Sequence, residues 1–355
     1  WEKVGGKDLV KNPKNLFYNY FMDKISVLGG GSWGTTLANL LAAKDLNVSI
    51  WARDPKIFVK NKNTLINKKY LPKYKLSSKL KIQEDIKEAV LSANLIIIAI
   101  PSKDFRKISS KISKYLNNQK ILIATKGIEN ESFMTMSEVF LDETNHSKKN
   151  IMVLSGPNIA DEIMRKNISA SVIAGTDKKS LKQVSDFFNS DFFKIFLSND
   201  TKGIEMAGAL KNLYAICSGL SDGLGFESNT KAMLLTRSLS EMSELFKKIN
   251  ANPLTLLGLS GVGDLIATSS SEKSRNYSFG KFLGKGNSPS KALSMVKQSV
   301  EGHRTLKVLY LEKKKLSLNM PIIDALYKIV YLKKDPKKCF LKFIHESGNI
   351  DTAYD

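Results

Sequence analysis

The feature that most limits what this chain can fold into is a join of strand, glycine turn and helix. The apolar strand Ile25-Ser-Val-Leu28 runs directly into Gly29-Gly30-Gly31-Ser32-Trp33-Gly34, which fits G-x-G-x-x-G. A helix-like stretch, Trp33 to Lys44, and a second apolar strand, Val48-Ser-Ile-Trp51, follow. In that order the glycines permit a tight turn and close approach of the backbone to a pyrophosphate. The helix N-terminus then offers its N–H groups to the anion. Gly29, Gly31, Ser32, Trp33 and Gly34 are therefore expected to bind a dinucleotide.

Further apolar strands are read at Leu95 to Ile100, Ile121 to Thr125, Ile151 to Leu154 and Ser171 to Ala174, with helical patterns between them. This alternation predicts an α/β fold, a Rossmann-like doubly wound parallel sheet covered by helices on both faces. After about residue 200 strand patterns stop and helical ones take over: Gly203 to Leu220, Thr230 to Lys248, Ser290 to Val296, Thr305 to Lys315 and Ile322 to Tyr331. The expected division is a dinucleotide-binding domain over 22–200 and an all-α substrate and catalytic domain over 201–355. Residues 1–21 carry breakers and no periodicity, and are expected to be an N-terminal extension outside the fold without the apolar region of a secretory signal. Lys333 to Lys338 reads as a solvated turn.

Charge bears on the choice of partner. The chain has 55 Lys and Arg against 34 Asp and Glu, a formal net charge of +21. The lysines are spread over the whole length rather than gathered in an arginine-rich block. They imply solvated faces and attraction of anionic small molecules, not nucleic acid. No apolar run approaches the roughly 20 residues of a transmembrane helix. Cys217 and Cys339 sit in apolar surroundings, which suits a reducing compartment. The three histidines, His146, His303 and His345, lack metal-ligand spacing and neither cysteine has a C-x-x-C partner, so no metal is expected.

In a doubly wound sheet ligands bind outside the carboxyl ends of the strands. At the end of the second strand Arg53 arrives before the first acid, Asp54. It suits a 2′-phosphate and tilts the cofactor toward NADP(H), with NAD(H) still open, or else it is a surface arginine before an Asp-Pro turn. Three later strands end in Pro101-Ser102, Thr125-Lys126-Gly127 and Ser155-Gly156-Pro157-Asn158, which would line one crevice. Lys126 either faces an anionic ligand there or simply faces solvent.

Lys211 and Asn212 form a strongly polar pair inside an otherwise apolar helical run. A lysine so placed is costly unless paired or functional, and burial lowers its pKa toward the range of proton transfer at neutrality. The alternative is a lysine snorkelling from a helix edge. Farther on, Asp264 could orient a lysine or a substrate hydroxyl. Thr268, Ser274, Arg275 and Asn276 have the donor inventory for a phosphate, although a helix cap explains any single one of them. Glu301-Gly302-His303 interrupts a helical pattern and is expected to reach the cofactor.

Taken together, GGGSWGTTLA, ATKGIE, SGPNIADE, GALKNLYAICSGLSDGLGFESNTKA, GLSGVGDLIAT and SRNYSFG resemble, in order, the NAD(P)-dependent glycerol-3-phosphate dehydrogenase family of the bacterial type. The resemblance covers essentially Met22 to the C-terminus. It implies reversible reduction of dihydroxyacetone phosphate to sn-glycerol 3-phosphate for phospholipid synthesis, by a cytoplasmic enzyme that is commonly a homodimer. It also implies that Lys211 is the proton donor and acceptor. By the same resemblance Lys126, Gly156, Asn158, Asp264, Ser274, Arg275 and Asn276 contact substrate, with Lys126 and Arg275 shared with the cofactor. Ser32, Trp33, Arg53, Ala160 and Glu301 match cofactor contacts, and Phe105 stands where an aromatic flanks the nicotinamide. Gly30 departs from a frequent alanine. Two other readings stay open here: a two-domain dehydrogenase acting on another hydroxy acid or an acyl thioester, and a dinucleotide-sensing protein without catalysis.

Overall fold

The structure, a computed structural model, describes residues 24–61, 64–296 and 299–346. The proposed extension over 1–21, and Met22, lie outside the described residues.

The chain opens as expected, with β1 (Lys24–Leu28), α1 (Ser32–Ala42) and β2 (Asn47–Trp51). A small antiparallel sheet follows, β3 (Phe58–Asn61), β4 (Thr64–Asn67) and β5 (Leu71–Leu76), and then β6 (Lys81–Gln83) returns to the main sheet. The next units alternate: α2 (Ile86–Leu91), β7 (Leu95–Ile98), α3 (Phe105–Ser113), β8 (Lys120–Ile123), α4 (Met136–Glu143) and β9 (Ile151–Ser155). They end with α5 (Ala160–Met164), β10 (Ser169–Gly175), α6 (Lys178–Phe188) and β11 (Phe193–Ser198).

The main sheet has eight strands in the order β11-β10-β9-β8-β7-β1-β2-β6. Its middle strands are continuous apolar runs because helices cover both faces. All four residues of Leu95-Ile-Ile-Ile98 are buried. One face packs on α1, α5 and α6 and the other on α2, α3 and α4. The chain runs outward from β1 to β2 and β6, then restarts beside β1 at β7, so the topological switch point lies between β1 and β7.

The sheet is parallel as expected except at one pairing. β10 pairs antiparallel with β9, and β11 runs with β10. The link over 156–168 contains only the five-residue α5. At 1.5 Å per residue this helix cannot carry the chain back along the sheet, so the chain turns and re-enters from the same end.

Beyond β11 the fold is helical: α7 (Thr201–Gly223), α8 (Ser228–Lys248), α9 (Asp264–Ser269), α10 (Arg275–Gly284), α11 (Pro289–Val296), α12 (Glu301–Lys315), α13 (Pro321–Val330) and α14 (Pro336–Glu346). α7 is the axle. Every residue from Gly203 to Ser221 is buried, as in a helix enclosed on all sides. Gly219 and Gly223 of α7 meet Gly280 and Gly284 of α10 so closely that a Cβ on Gly280 would lie 1.9 Å from the Ile216 carbonyl oxygen. The two helices therefore touch backbone to backbone, which fixes the start of α10 over the middle of α7.

Lys333 to Lys338 is not simply a turn. Pro336 begins α14, with Asp335 Oδ1 accepting from Lys338 N at 2.7 Å, so Asp-Pro here is a helix start.

Candidate active site

The glycine turn forms a cradle at the switch point. Gly29 has φ +136°, and a Cβ there would lie 2.2 Å from the Ala99 carbonyl oxygen. A Cβ on Gly34 would lie 2.0 Å from the Gly29 carbonyl oxygen, so these two glycines let α1 seat against the turn. Gly31 differs, because nothing lies within 4 Å of where its Cβ would point. No side chain caps α1 at Gly31, which leaves the helix N-terminus beside Ser32 and Trp33 facing open space. Trp33 Nε1 is buried and finds no hydrogen-bond partner among the described residues. Open space, an uncapped helix N-terminus and an orphaned donor all fit a pyrophosphate-bearing cofactor.

Asn67 supports this cradle from the small sheet. Its buried Nδ2 donates to the Gly30 carbonyl and to Thr35 Oγ1, both at 2.9 Å. Nothing in the Lys- and Asn-rich run around it marks Asn67 as special. Arg53 extends from the end of β2 and pairs with Asp104 at 2.7 Å. Ala160 is the first residue of α5. Phe105 opens α3 and is wholly buried, in the core cluster that also holds Ile98, Ile112 and Met136.

The second cluster lies where the carboxyl ends of β8 and β9 meet α7 and α9. Lys126 Nζ donates to the Gly156 carbonyl at 2.8 Å and to Asp264 Oδ2 at 2.6 Å. Lys211 Nζ, from the middle of α7, donates to Asp264 Oδ1 and to Thr268 Oγ1, the latter at 2.7 Å. Asp264, 1% exposed, opens α9 after a π-helical turn over Leu259–Gly263. That turn is pressed onto the preceding segment: a Cβ on Gly261 would lie 2.2 Å from the Leu256 carbonyl oxygen. Thr268 stands one helical turn after Asp264 and donates to its Oδ1 at 3.3 Å. Burial pulls the Lys211 pKa down to about 8; Asp264 and Glu301 oppose this, while Lys126 adds to it. Lys211 is thus a buried, paired group rather than a snorkelling one.

α10 and α12 close the cluster. Asn276 Nδ2 donates to Asn212 Oδ1 at 2.7 Å, and Asn276 Oδ1 accepts from Gly302 N at 3.0 Å, so this pair ties α7, α10 and α12 together. Ser274 is the N-cap of α10, accepting from Tyr277 N at 3.3 Å, while Arg275 is exposed. Glu301-Gly302-His303 does not interrupt a helix as expected but forms the first turn of α12. Burial raises the pKa of the half-buried Glu301, against the opposing charges of Arg275, Lys211, Lys126 and Arg304. Asn158 turns toward β10, its Nδ2 donating to the Ala170 carbonyl at 3.3 Å and its Oδ1 accepting from Ser171 Oγ at 2.8 Å.

A dinucleotide cradle and a lysine pair on a buried carboxylate, both past the carboxyl ends of strands of one sheet, are what a dehydrogenase of phosphorylated substrates needs. Residues 24–181 match the family model described as the NAD-dependent glycerol-3-phosphate dehydrogenase N-terminus, and residues 200–341 the one described as its C-terminus. A relative from Psychrobacter cryohalolentis named glycerol-3-phosphate dehydrogenase (NAD(P)+) is 41% identical over 325 residues, covering 92% of this chain and 73% of the relative. The chain belongs to the NAD-dependent glycerol-3-phosphate dehydrogenase family. Another relative of that name, from Carboxydothermus hydrogenoformans, is 39% identical over 316 residues, covering 89% of this chain and 94% of its own. Among solved structures, glycerol-3-phosphate dehydrogenase from Coxiella burnetii superposes with a TM-score of 0.85 at 29% identity, covering 91% of this chain and 99% of that one. The sheet followed by helices is thus the architecture of the family.

Sequence reasoning missed three residues that bridge parts of this region. They are Asn67, described above, Asp104 on Arg53, and Asp161 of α5. Asp161 accepts from Tyr74 OH and from Lys273 Nζ, the latter at 2.9 Å, beside the Ser274-Arg275 segment. Each is a polar residue in a loop or short element, and only the fold brings its partner within reach.

Proposed function

We propose that this chain carries out its family's reaction with Lys211 as the group that moves the proton. Membership makes it an NAD(P)-dependent oxidoreductase that interconverts dihydroxyacetone phosphate and sn-glycerol 3-phosphate. When bound along Gly29, Gly31, Ser32, Trp33, Gly34 and Arg53, the dinucleotide supplies or accepts the hydride.

The chain's own residues have separate tasks. Lys211, as an ammonium, gives its proton to the oxygen on C2 of the ketone as negative charge develops there, and as a neutral amine takes it back in the reverse direction. Lys126 keeps a second positive charge beside that oxygen. Asp264 holds both ammonium groups in place without cancelling them. Arg275, exposed at the start of α10, is the donor for the substrate phosphate, a task for which its planar fork is suited. The observation that carries this reading is the buried Lys211 on Asp264 at the crevice, with its pKa lowered toward neutrality. We further infer that the enzyme works in the cytoplasm as a homodimer and supplies glycerophospholipid synthesis.

The test is oxidation of NADPH and of NADH, followed by nicotinamide absorbance, with dihydroxyacetone phosphate as the only carbonyl compound. Turnover that disappears in Lys211→Ala is the expected result. Folded protein that binds a dinucleotide yet leaves the ketone unreduced would overturn the reading.

A further inference from the structure

The loops after β2 and β7 flank the glycine turn on its two sides, because β1 lies between those strands in the sheet. Among the described residues one ion pair joins the two loops: Arg53 Nη2 donates to Asp104 Oδ2 at 2.7 Å. Its members are unequal, the Arg53 side chain being 76% exposed and that of Asp104 24%. Asp104 closes the 3₁₀ turn Ser102–Asp104 that leads into α3. The neighbouring carboxylate, Asp54, is used otherwise, accepting from Lys56 N at 3.1 Å to cap the turn after β2.

We propose that Asp104 sets the enzyme's preference between NADPH and NADH by competing with the cofactor's 2′-phosphate for Arg53. This rests on the reading of Arg53 as the guanidinium that receives that phosphate. A phosphate arriving at Arg53 meets a guanidinium already turned onto a carboxylate and must share its donors with a second anion at close range. A cofactor with a free 2′-hydroxyl meets no such competition. It leaves the ion pair intact and finds in Asp104 an acceptor for the hydroxyl, the role an acidic residue ordinarily fills in this fold. Arg53 alone would favour NADPH, and Asp104 pulls the balance back toward use of both.

Four proteins test this: the parent, Asp104→Asn, Arg53→Gln and the double variant. Calorimetry gives the affinity of each for adenosine 2′,5′-bisphosphate and for adenosine 5′-monophosphate, and steady-state rates give the kcat/KM ratio of NADPH to NADH. Asp104→Asn is expected to tighten the bisphosphate by about two- to fivefold, the scale of an exposed ion pair. The monophosphate should weaken slightly, since the amide oxygen is a poorer acceptor for the 2′-hydroxyl than the carboxylate, and the NADPH to NADH ratio should rise by at least the bisphosphate factor through KM. In the Arg53→Gln background the Asp104 substitution should lose most of that effect. If Asp104→Asn binds both nucleotides as the parent does while Arg53→Gln weakens only the bisphosphate, Asp104 has no such role and Arg53 keeps its own. If Arg53→Gln leaves bisphosphate affinity unchanged, the reading of Arg53 falls and this proposal with it.

Discussion

Lys126 and Lys211 reach opposite oxygens of one buried carboxylate, that of Asp264. Two ammonium groups on one anion leave a net positive charge in a site that receives an anionic substrate. The same carboxylate, in contact with both, offsets their mutual repulsion, with Glu301 adding to it for Lys211. Asp264→Asn removes that offset. Lys211, already lowered to about 8, should drop further, because burial and Lys126 then act unopposed by Asp264. The expected result is a loss of turnover of about 10²-fold and a pH profile moved to lower pH. Removing one partner of a buried pair costs about 3–5 kcal/mol, and here the cost should shrink as pH rises, since a neutral lysine needs no counter-charge. Denaturant titrations at several pH values would show this slope, and a pH-independent loss would argue against the arrangement.

The pH dependence of the reaction follows from Lys211 itself. In the direction of ketone reduction it acts as an acid, so the active form is the ammonium, and the rate should fall as pH rises through about 8. In the direction of alcohol oxidation it acts as a base, and the rate should rise through the same region. Lys211→Ala should lower kcat by roughly 10²- to 10⁴-fold in both directions and remove this titration, with NADH affinity nearly unchanged. Profiles of kcat/KM in both directions are the measurement. Parallel rather than opposite slopes would exclude Lys211 as the proton-transfer group.

Local patterns carried much of the fold and part of the site. Runs such as Leu95-Ile-Ile-Ile98 declare a buried strand without help from the rest of the chain, and a lysine inside GALKNLYAICSGL stands out because burial makes it costly. Other features depended on partners far away in sequence. Asn67 looks like one more asparagine among lysines until β4 brings it under Gly30. The direction of β10 depended on how short the connection through α5 turned out to be. The burial of Phe105 likewise depends on how α3 packs under the sheet rather than on its local sequence. Asn276, expected to contact substrate, and Asn212 hydrogen-bond to each other across helices whose glycines allow backbone contact, a link that no local pattern announces.

The glycines of the cradle should separate by substitution. Gly31 has ordinary φ and open space where a side chain would go, so Gly31→Ala should leave the melting temperature within a degree or two while raising KM for NADH and NADPH by about tenfold or more. Gly34→Ala drives a methyl into the Gly29 carbonyl oxygen and should destabilise the fold by about 1–3 kcal/mol or more. Thermal melts beside initial rates check both. Equal loss of stability in the two variants would mean that the space beside Gly31 is not open, and an unchanged KM in Gly31→Ala would mean that the pyrophosphate does not lie there.

Glu205 provides a stability test away from the chemistry. Near the start of α7 its buried carboxylate accepts from Ser137 N at 2.9 Å and from Ser137 Oγ at 2.5 Å, and so holds the N-terminus of α4 across the boundary between sheet and helices. Burial raises its pKa from the ordinary 4.5 to about 7, with Glu138 adding to the rise and the Ser137 and Thr135 hydrogen bonds opposing it. A carboxyl raised on folding contributes stability that is complete below the unfolded value and is lost as pH climbs through the folded one. The parent should therefore lose roughly 2–3 kcal/mol between about pH 5 and about pH 8 through this group. Glu205→Gln keeps an acceptor for Ser137 N and a donor for its hydroxyl but cannot ionise, so its melting temperature should gain on the parent's across that interval. Curves that stay parallel would mean that Glu205 is not held protonated by its surroundings.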